Sequence, residues 1–368
     1  MKIAIGATLH KKVRKDATGG TEIFVYELTR ELVRRGHAVT VFASSDSQVP
    51  GELVGIADEE HINSIDQGQR LFYGYQLLES QEIALRASEF DVIHINYFES
   101  FLFAPFSKLI GKPILYTVHS DLFDSQQWQH YINKTVKPND RFVFVSQSAA
   151  ARATEIKNKT HIYNGIDMTT FPFSDKPNDY FFWIGRVRKK KGIKEAVEFA
   201  VQSKLPLIVS GVIDNSEEKI FFDTEVMPLI QKNSHIQYIG SVGFAEKIRY
   251  YQQAKALLVP ISWEEPFGLT MVEAMVCGTP VIAFNRGAVS EVIQDGITGY
   301  IIDPDDVDRQ GKGSWVIKKQ GVAGLIDAAS QLENIHRSDC RAHAERNFSL
   351  KRMVDEYEKL YQEMTRNV

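Results

Sequence analysis

The feature that most constrains this chain is the alternation, along nearly its whole length, of short apolar runs with helix-length amphipathic stretches. Continuous apolar runs are typical of strands buried on both faces, and strand–helix alternation is typical of parallel sheets with right-handed crossovers. About six runs in each half predict an α/β fold of two doubly wound parallel-sheet domains. The predicted strands are 2–5, 38–43, 91–95, 113–118, 141–145, 161–163, 180–184, 205–210, 236–239, 256–260, 280–284 and 299–302.

Turn chemistry indicates the domain boundary. Asn164-Gly165 and the following Pro172 interrupt the alternation, and such residues are typical of a break between structural units. We therefore predict an N-terminal domain over residues 1–165 and a C-terminal domain over 166–349. The final stretch, about 350–368, has apolar residues at helical spacing and is predicted to pack back on the first domain. Other predicted helices include 21–35, 193–203, 245–254 and 269–277.

The composition excludes several classes of protein. The chain has 368 residues, of which 43% are hydrophobic, and a net charge of −4, so disorder is excluded and nucleic-acid binding is not indicated. The sequence lacks the run of about 18 apolar residues that a membrane-spanning helix needs. Cys277 and Cys340 are too few for a disulfide scaffold, and a reducing compartment is expected. The N-terminal sequence starts with a strand pattern and no basic leader, which predicts a cytoplasmic protein.

Residues 263–280 carry most of the predicted chemistry. A Gly-Thr-Pro signal ends a helix, whose N-terminus near 267–269 offers backbone N–H groups to a phosphate or a sugar hydroxyl. Glu273 lies in a nearly all-apolar helix and needs a partner, whereas Glu265 lies in the preceding loop. Eight helical residues would separate two carboxyl groups by about 12 Å, against about 5–5.5 Å in a retaining glycosidase. We therefore favour two acids that hold hydroxyls of one ligand, with ordinary solvated glutamates as the alternative.

The basic loop 186–191 follows a predicted strand and precedes a predicted helix. Five of its six residues are Arg or Lys. Arg186 and Lys191 are predicted to neutralise a diphosphate, while Arg188, Lys189 and Lys190 are predicted to lie on a solvated face. The Gly-x-x-x-x-Gly-Lys-Ser/Thr spacing is absent, which removes support for Walker-type nucleotide hydrolysis.

Two loops of the first half are further candidates. Gly19-Gly20 permits a close approach of a ligand to the backbone, but the Gly-x-Gly-x-x-Gly spacing of dinucleotide binding is absent. His119 directly follows a predicted strand, and ligands of open α/β sheets bind at such carboxyl ends. A plain tight turn and a structural histidine are the alternatives.

Taken together, these segments resemble glycosyltransferase family 4, the retaining, sugar-nucleotide-dependent enzymes of the GT-B fold. The resemblance spans the whole chain, and its most specific part is the Glu-x7-Glu segment 265–273 with Pro-Phe-Gly after its first acid. It implies two facing Rossmann-like domains with the active site in the cleft between them. The other matching segments are 19–20, 117–119, 164–167, 185–192, 278–283 and 291–299.

The resemblance implies a role for each candidate residue. The two cations of the basic loop would neutralise the donor diphosphate, Glu273 would hold the ribose and Glu265 the donor sugar. His119 would lie by the reacting carbon, Gly20 near the diphosphate, and the backbone of 267–269 would contact sugar and phosphate. The implied catalytic residues are His119, Arg186, Lys191 and Glu265, and the implied donor-binding residues are Gly19, Gly20, Arg186, Lys191, Glu265, Phe267, Gly268, Leu269 and Glu273.

The implied reaction moves a hexose, with retention, from a nucleotide-diphosphate sugar to an acceptor. UDP-glucose is the favoured donor, and the acceptor is a glycan, a glycolipid or a small metabolite. The resemblance implies no metal ion and no other cofactor. The basic loop from Lys11 to Lys15 is predicted to be solvated, with contact to an acidic acceptor or to the inner face of the membrane as alternatives. A sugar-nucleotide epimerase or hydrolase is the rival enzyme, and a non-catalytic sugar-nucleotide-binding protein is the rival of another class.

Overall fold

The computed structural model describes residues 1–17, 19–62, 69–305 and 313–366, and the chain divides into two compact units. Unit 1 comprises Met1–Asp167 together with Leu350–Val368, and unit 2 comprises Met168–Ser349. Each unit is built on one parallel sheet with helices packed on it.

The secondary structure alternates as the apolar pattern predicts. The described strands are β1 (Lys2–Gly6), β2 (Ala38–Ala43), β3 (Glu52–Gly55), β4 (Val92–Ile95), β5 (Ile114–Val118), β6 (Arg141–Phe144), β7 (Lys159–His161), β8 (Phe181–Arg186), β9 (Leu207–Val212), β10 (Ile236–Tyr238), β11 (Leu257–Val259), β12 (Val281–Phe284) and β13 (Gly299–Ile302). The described α-helices are α1 (Gly20–Arg34), α2 (Glu59–Ile62), α3 (Gln69–Leu85), α4 (Ser100–Phe103), α5 (Gln126–Thr135), α6 (Gln147–Arg152), α7 (Ile193–Ser203), α8 (Ser216–Phe221), α9 (Met227–Gln231), α10 (Phe244–Gln253), α11 (Leu269–Val276), α12 (Val289–Val292), α13 (Gly321–Ala329), α14 (Arg337–Asn347) and α15 (Leu350–Arg366). Short 3₁₀ turns lie at Ala87–Glu89, Ala104–Leu109, Leu122–Asp124, Met168–Thr170, Lys189–Lys191 and Leu332–Asn334, and a π-helical turn lies at Phe222–Val226.

The strand order places one switch point in each sheet. The order is β3-β2-β1-β4-β5-β6-β7 in unit 1 and β10-β9-β8-β11-β12-β13 in unit 2, and the described pairings are parallel. The direction of winding reverses between β1 and β4 and between β8 and β11. Ligands of doubly wound sheets bind at the carboxyl ends of the strands beside such a reversal. The predicted α/β class of two doubly wound sheets is confirmed.

The last helix, α15, belongs to unit 1 and is fixed to its sheet by polar contacts as well as apolar ones. Met353 and Val354 share a buried core with α1. The Tyr361 hydroxyl lies 2.6 Å from Nδ1 of His94 on β4, and the Tyr357 hydroxyl lies 3.0 Å from Oγ1 of Thr117 on β5. Because all these polar groups are buried and bonded, the helix is fixed in one position on the sheet.

Two elements of unit 1 differ from the sequence prediction. The strand β3 was not predicted, because its four residues form an edge and are half-buried or exposed, without a continuous apolar run. The other edge strand, β7, covers 159–161 instead of 161–163 and pairs Lys159 with Phe142 and His161 with Phe144. Edge strands bury only part of their surface, so the apolar pattern that identifies central strands is weak there.

The two cysteines, Cys277 and Cys340, are both buried free thiols. Among the described residues, no helix combines the length and the apolar character needed to cross a bilayer.

Candidate active site

Two loops of unit 2 meet at the switch point of its sheet, one after β8 and one after β11. Gly192, which ends the first loop, has φ +73°, and a Cβ atom there would lie 2.0 Å from the carbonyl oxygen of Pro260 in the second. The backbone N–H of Ser262 donates to the carbonyl oxygen of Lys190 at 3.1 Å. The basic loop is therefore in direct backbone contact with the loop that leads into the Glu-x7-Glu segment, as the close approach at a glycine allows.

The basic loop and the acidic segment share a cluster of four side chains, which we call the tryptophan cluster: Lys190, Lys191, Trp263 and Glu265. The Lys191 ammonium donates to Oε2 of Glu265 at 2.9 Å, and the Trp263 indole N–H donates to the same oxygen at 3.1 Å. The ammonium groups of Lys190 and Lys191 lie 4.2 and 4.3 Å from the centre of the Trp263 ring. Sequence reasoning did not single out Trp263, although its place two residues before Glu265 was an available signal.

The other predicted phosphate ligand, Arg186, stands at the carboxyl end of β8. Its side chain is 43% exposed, and its Nε lies 3.1 Å from Oδ2 of Asp214. A guanidinium has five N–H donors, so one carboxylate oxygen uses only part of its capacity. An anion bound by these two cations would have to displace Asp214 from Arg186 and Glu265 from Lys191.

Two of the cations predicted to be solvated are held in ion pairs of unit 2. Arg188 pairs with Glu218 at 2.5 Å, and Lys189 pairs with Glu225 at 2.7 Å. The Lys189 side chain is 71% exposed and that of Arg188 is 36% exposed. The predicted solvated face therefore fits Lys189 far better than Arg188.

Glu273 has the partners that a buried carboxylate requires. The residue is 7% exposed in α11, and its two oxygens accept hydrogen bonds from Lys247 at 2.8 Å and from the Tyr251 hydroxyl at 2.9 Å. Burial raises the pKa of Tyr251 well above its ordinary value, so its hydroxyl remains a donor. Both partners lie on α10, while Glu265 bonds to Lys191 and Trp263 within the tryptophan cluster. The two glutamates of the motif thus belong to separate networks.

The N-terminus of α11 is built from backbone rather than from side chains. Gly268 caps the helix with φ +91°, and a Cβ atom there would lie 2.2 Å from Cε of Met271. The Phe267 ring is buried and packs edge-on against Phe348 at 5.6 Å. Phe267 therefore contributes its side chain to the core, and Leu269 begins the helix with the N–H groups that a helix start leaves available.

A third loop, after β12, fixes the backbone of the acidic segment. The N–H of Gly287 donates to Oε2 of Glu264 at 2.6 Å, and the N–H of Ala288 donates to the carbonyl oxygen of Glu265 at 2.9 Å. Gly287 has φ +57°, and a Cβ atom there would lie 2.2 Å from that carbonyl oxygen. This loop was missed in the sequence, where Asn-Arg-Gly directly after a strand was the signal.

In unit 1, Gly19 and Gly20 form the start of α1. Gly19 is the N-cap residue, with φ −94° and ψ 143°, and Gly20 is the first helical residue. A Cβ atom at Gly19 would lie 1.8 Å from Oε2 of Glu22. The buried Glu22 side chain thus lies against this turn, at the helix end where a carboxylate is favoured.

His119 follows β5 and is held by neighbours within unit 1. Its Nε2 lies 3.3 Å from Oδ1 of Asn96, and its ring lies edge-on to Phe24 at 4.6 Å. Burial lowers the pKa of His119 to about 3. The imidazole is therefore neutral at physiological pH and offers one donor and one acceptor nitrogen.

The remaining charged segments are engaged within their own units. In the basic loop from Lys11 to Lys15, Val13 is buried and the Lys12 ammonium lies 2.8 Å from Asp46. Asp303, which directly follows β13, accepts hydrogen bonds from the Gly313 N–H and the Trp315 indole N–H, both at 3.0 Å. In the part of the chain that the structure describes, no group of three His, Cys, Asp or Glu side chains is placed to hold a metal ion.

Comparisons with known proteins agree with this architecture. The sequence matches the family model described as Glycosyltransferase Family 4 over residues 18–170 and the model described as Glycosyl transferases group 1 over residues 167–314. N-acetyl-alpha-D-glucosaminyl L-malate synthase of Bacillus anthracis is 25% identical over 411 aligned positions, which cover 100% of this chain and 98% of that protein.

Solved structures share the fold over the full length of the chain. Sucrose-phosphate synthase of Thermosynechococcus elongatus has a TM-score of 0.79 at 20% identity, with 100% of both chains covered. HepE of Anabaena, solved in complexes with UDP and with UDP-glucose, has TM-scores of 0.74 and 0.73 at 18% and 17% identity, with 99% of this chain and 100% of that chain covered. The two family models together span residues 18–314, well over half of the sequence. The chain therefore belongs to glycosyltransferase family 4 and is a glycosyltransferase with the GT-B fold.

Proposed function

We propose that the enzyme transfers a hexose, with retention of configuration, from a nucleoside-diphosphate sugar that binds to unit 2. The observation that carries the proposal is the pair of cations at the switch point, Arg186 at the end of β8 and Lys191 beside Glu265. UDP-glucose is the first donor to test, because HepE, a protein of similar fold, was solved in complex with it.

The ion pairs of Arg186 and Lys191 suggest how the donor is received. When a diphosphate oxygen takes the place of Glu265 beside Lys191, Oε2 of Glu265 loses its cation and becomes available to a hydroxyl of the donor sugar. As the nucleoside diphosphate departs, negative charge grows on its phosphates, and Arg186 and Lys191 stabilise this charge more in the transition state than in the ground state. The N–H groups at Gly268 and Leu269 act in the same direction.

Glu273 is proposed to hold the ribose of the donor. Both of its oxygens already accept a hydrogen bond, but an ionised carboxylate has about four acceptor positions. Since the residue is nearly buried, the ribose hydroxyls would reach the small part of the carboxylate that remains exposed. Lys247 and Tyr251 orient the carboxylate.

The neutral state of His119 bears on the proton transfer. A pKa of about 3 makes the imidazole a poor base at neutral pH, so we assign the acceptor's proton to an oxygen of the leaving phosphate. His119 then contributes a hydrogen bond near the acceptor. Its role, those of Gly19 and Gly20, and membrane contact through residues 11–15 remain predictions.

The test uses labelled UDP-, GDP- and ADP-hexoses with a panel of acceptors. The panel contains oligosaccharides, glycolipids and small hydroxy acids, among them L-malate, which appears in the name of one relative. The proposal expects label in the acceptor, release of the nucleoside diphosphate, and an α-linkage from an α-configured donor, as measured by NMR. Label isomerised with the diphosphate bond intact would support the epimerase instead, and no observation of the site favours that alternative.

A further inference from the structure

Lys190 is a half-buried cation that forms no ion pair with the residues the structure describes. Its neighbours in the sequence both pair with carboxylates, Lys189 with Glu225 and Lys191 with Glu265. Among the residues that the structure describes, Lys190 has no carboxylate within ion-pair distance, and its ammonium lies instead 4.2 Å from the centre of the Trp263 ring. An indole face stabilises a cation without neutralising it.

Trp263 brings two ammonium groups and one carboxylate together. Lys190 and Lys191 both contact its ring, so their ammonium groups lie within about 8.5 Å of each other. Like charges at such distances disfavour each other, and the cluster contains a single carboxylate, Glu265, which is bonded to Lys191 and to the Trp263 N–H. The cluster thus carries a net positive charge beside the loop at the sheet's switch point, where a bound anion would complete it.

We propose that Lys190 is a further diphosphate-binding residue and that Trp263 is the positioning residue that holds both lysines and Glu265 for the donor. This inference rests on the proposed function, since it concerns the same donor. The phosphate ligands of the basic loop are then Arg186, Lys190 and Lys191. The indole N–H keeps Glu265 aimed at the sugar while Lys191 exchanges Glu265 for a phosphate oxygen.

The first experiment compares two adjacent lysines by calorimetric titration with UDP, GDP, ADP and uridine. Lys190→Gln removes the unpaired cation, and Lys189→Gln is the matched control, because it makes the same charge change at an exposed residue paired with Glu225. The inference expects Lys190→Gln to raise the Kd of the nucleoside diphosphate that binds best about tenfold, the usual scale for losing a charged hydrogen bond. For the Lys189→Gln variant we expect a Kd within about twofold of wild type, and uridine affinity should be equal in all three proteins.

The outcomes separate the inference from the function. Equal diphosphate affinities in Lys190→Gln and Lys189→Gln would overturn the inference and leave the donor proposal standing. A wild-type protein that binds none of the three diphosphates would overturn both. Equal losses of uridine and diphosphate affinity in Lys190→Gln would also contradict a phosphate contact.

Substitutions of Trp263 test its positioning role. Trp263→Phe keeps an aromatic face for the two lysines and removes the N–H that donates to Glu265, whereas Trp263→Leu removes both. We expect diphosphate affinity near wild type in Trp263→Phe and about tenfold weaker in Trp263→Leu, while kcat for transfer falls in both because Glu265 is released. Equal diphosphate affinities in the two variants would contradict the role of the ring, and an unchanged kcat in Trp263→Phe would contradict the role of the N–H. Melting curves establish that each variant is folded, and the Lys190 comparison stands even if Trp263→Leu is not.

Discussion

The substitution Lys247→Met tests whether Glu273 depends on the Lys247 ammonium for its place inside unit 2. Methionine retains the apolar stem of lysine but removes the ammonium that lies 2.8 Å from Oε1 of Glu273. The two side chains are 17% and 9% exposed, so the substitution leaves an almost buried carboxylate without its cation. Breaking a buried pair in this way costs about 3–5 kcal/mol. The Tyr251 hydroxyl remains as a donor to Oε2, which favours the lower value, about 3 kcal/mol.

The assay is scanning calorimetry of the whole chain with urea unfolding as a second measurement. For a domain of 150–250 residues, 1 kcal/mol shifts the midpoint by about 2–4 °C, so the transition of unit 2 is expected to fall by about 6–12 °C. Lys219→Met is the matched control. Lys219 pairs with Asp223 at 2.6 Å, but both side chains are about half exposed, and such a pair contributes about 0.3–0.5 kcal/mol.

A second substitution at Glu273 is expected to restore part of the stability that Lys247→Met loses. In Lys247→Met/Glu273→Gln the buried group is a neutral amide whose oxygen still accepts from Tyr251, so more than half of the lost stability is expected to return. A midpoint for Lys247→Met equal to that of Lys219→Met would refute the reasoning, because the carboxylate would then not depend on its cation. A double variant less stable than Lys247→Met would do the same.

Two further predictions concern pH and the loop after β12. The pKa of His119 is lowered to about 3 from an ordinary value of 6.5, so below pH 6.5 the unfolded chain binds a proton that the folded chain does not, and the free energy of unfolding falls as pH falls towards 3. At about 1.4 kcal/mol per pH unit, wild type should lose up to about 2 kcal/mol more stability than His119→Gln between pH 7 and 5 in urea unfolding. Equal losses would contradict a neutral His119. Gly287→Ala places a methyl group against the Glu265 carbonyl at a residue with φ +57°. We expect it to lower the free energy of unfolding by about 1–3 kcal/mol, as measured by melting, and to weaken UDP binding, as measured by titration. Unchanged UDP affinity would show that this loop does not position Glu265.

The sequence predicted most of the framework because the relevant signals are local. Apolar runs identified the central strands, and α7 begins at Ile193 and ends at Ser203, as its periodicity indicated. The helix α11 begins at Leu269 as predicted and ends at Val276, one residue before its predicted end. The places of Arg186, at the end of β8, and of Lys191, in the loop after it, also followed from the order of strand, basic loop and helix.

What the sequence could not provide were partners that depend on how elements pack. The sequence indicated that Glu273 needs a partner but not which residue it is. That depends on the packing of α10 beside α11, which brings Lys247 and Tyr251 to Glu273 from 26 and 22 residues away. The contact between Trp263 and the lysines depends on the approach of two loops after different strands. The edge strand β3 lacked a signal because little of it is buried.

The most direct test of the central claim is the kcat of transfer in Arg186→Ala and Lys191→Ala, with Lys189→Ala as the control. If these cations stabilise the departing diphosphate, each of the two substitutions should lower kcat about 10²–10³-fold, as the loss of one preorganised charge-stabilising contact does. The melting temperature of Arg186→Ala should stay near that of wild type, since Arg186 is exposed. Lys191→Ala leaves Glu265, which is 14% exposed, without its cation and should melt below wild type while remaining folded at the assay temperature. Lys189→Ala should transfer at the wild-type rate. Near-wild-type kcat in both Arg186→Ala and Lys191→Ala would contradict the assignment of the donor diphosphate to this loop.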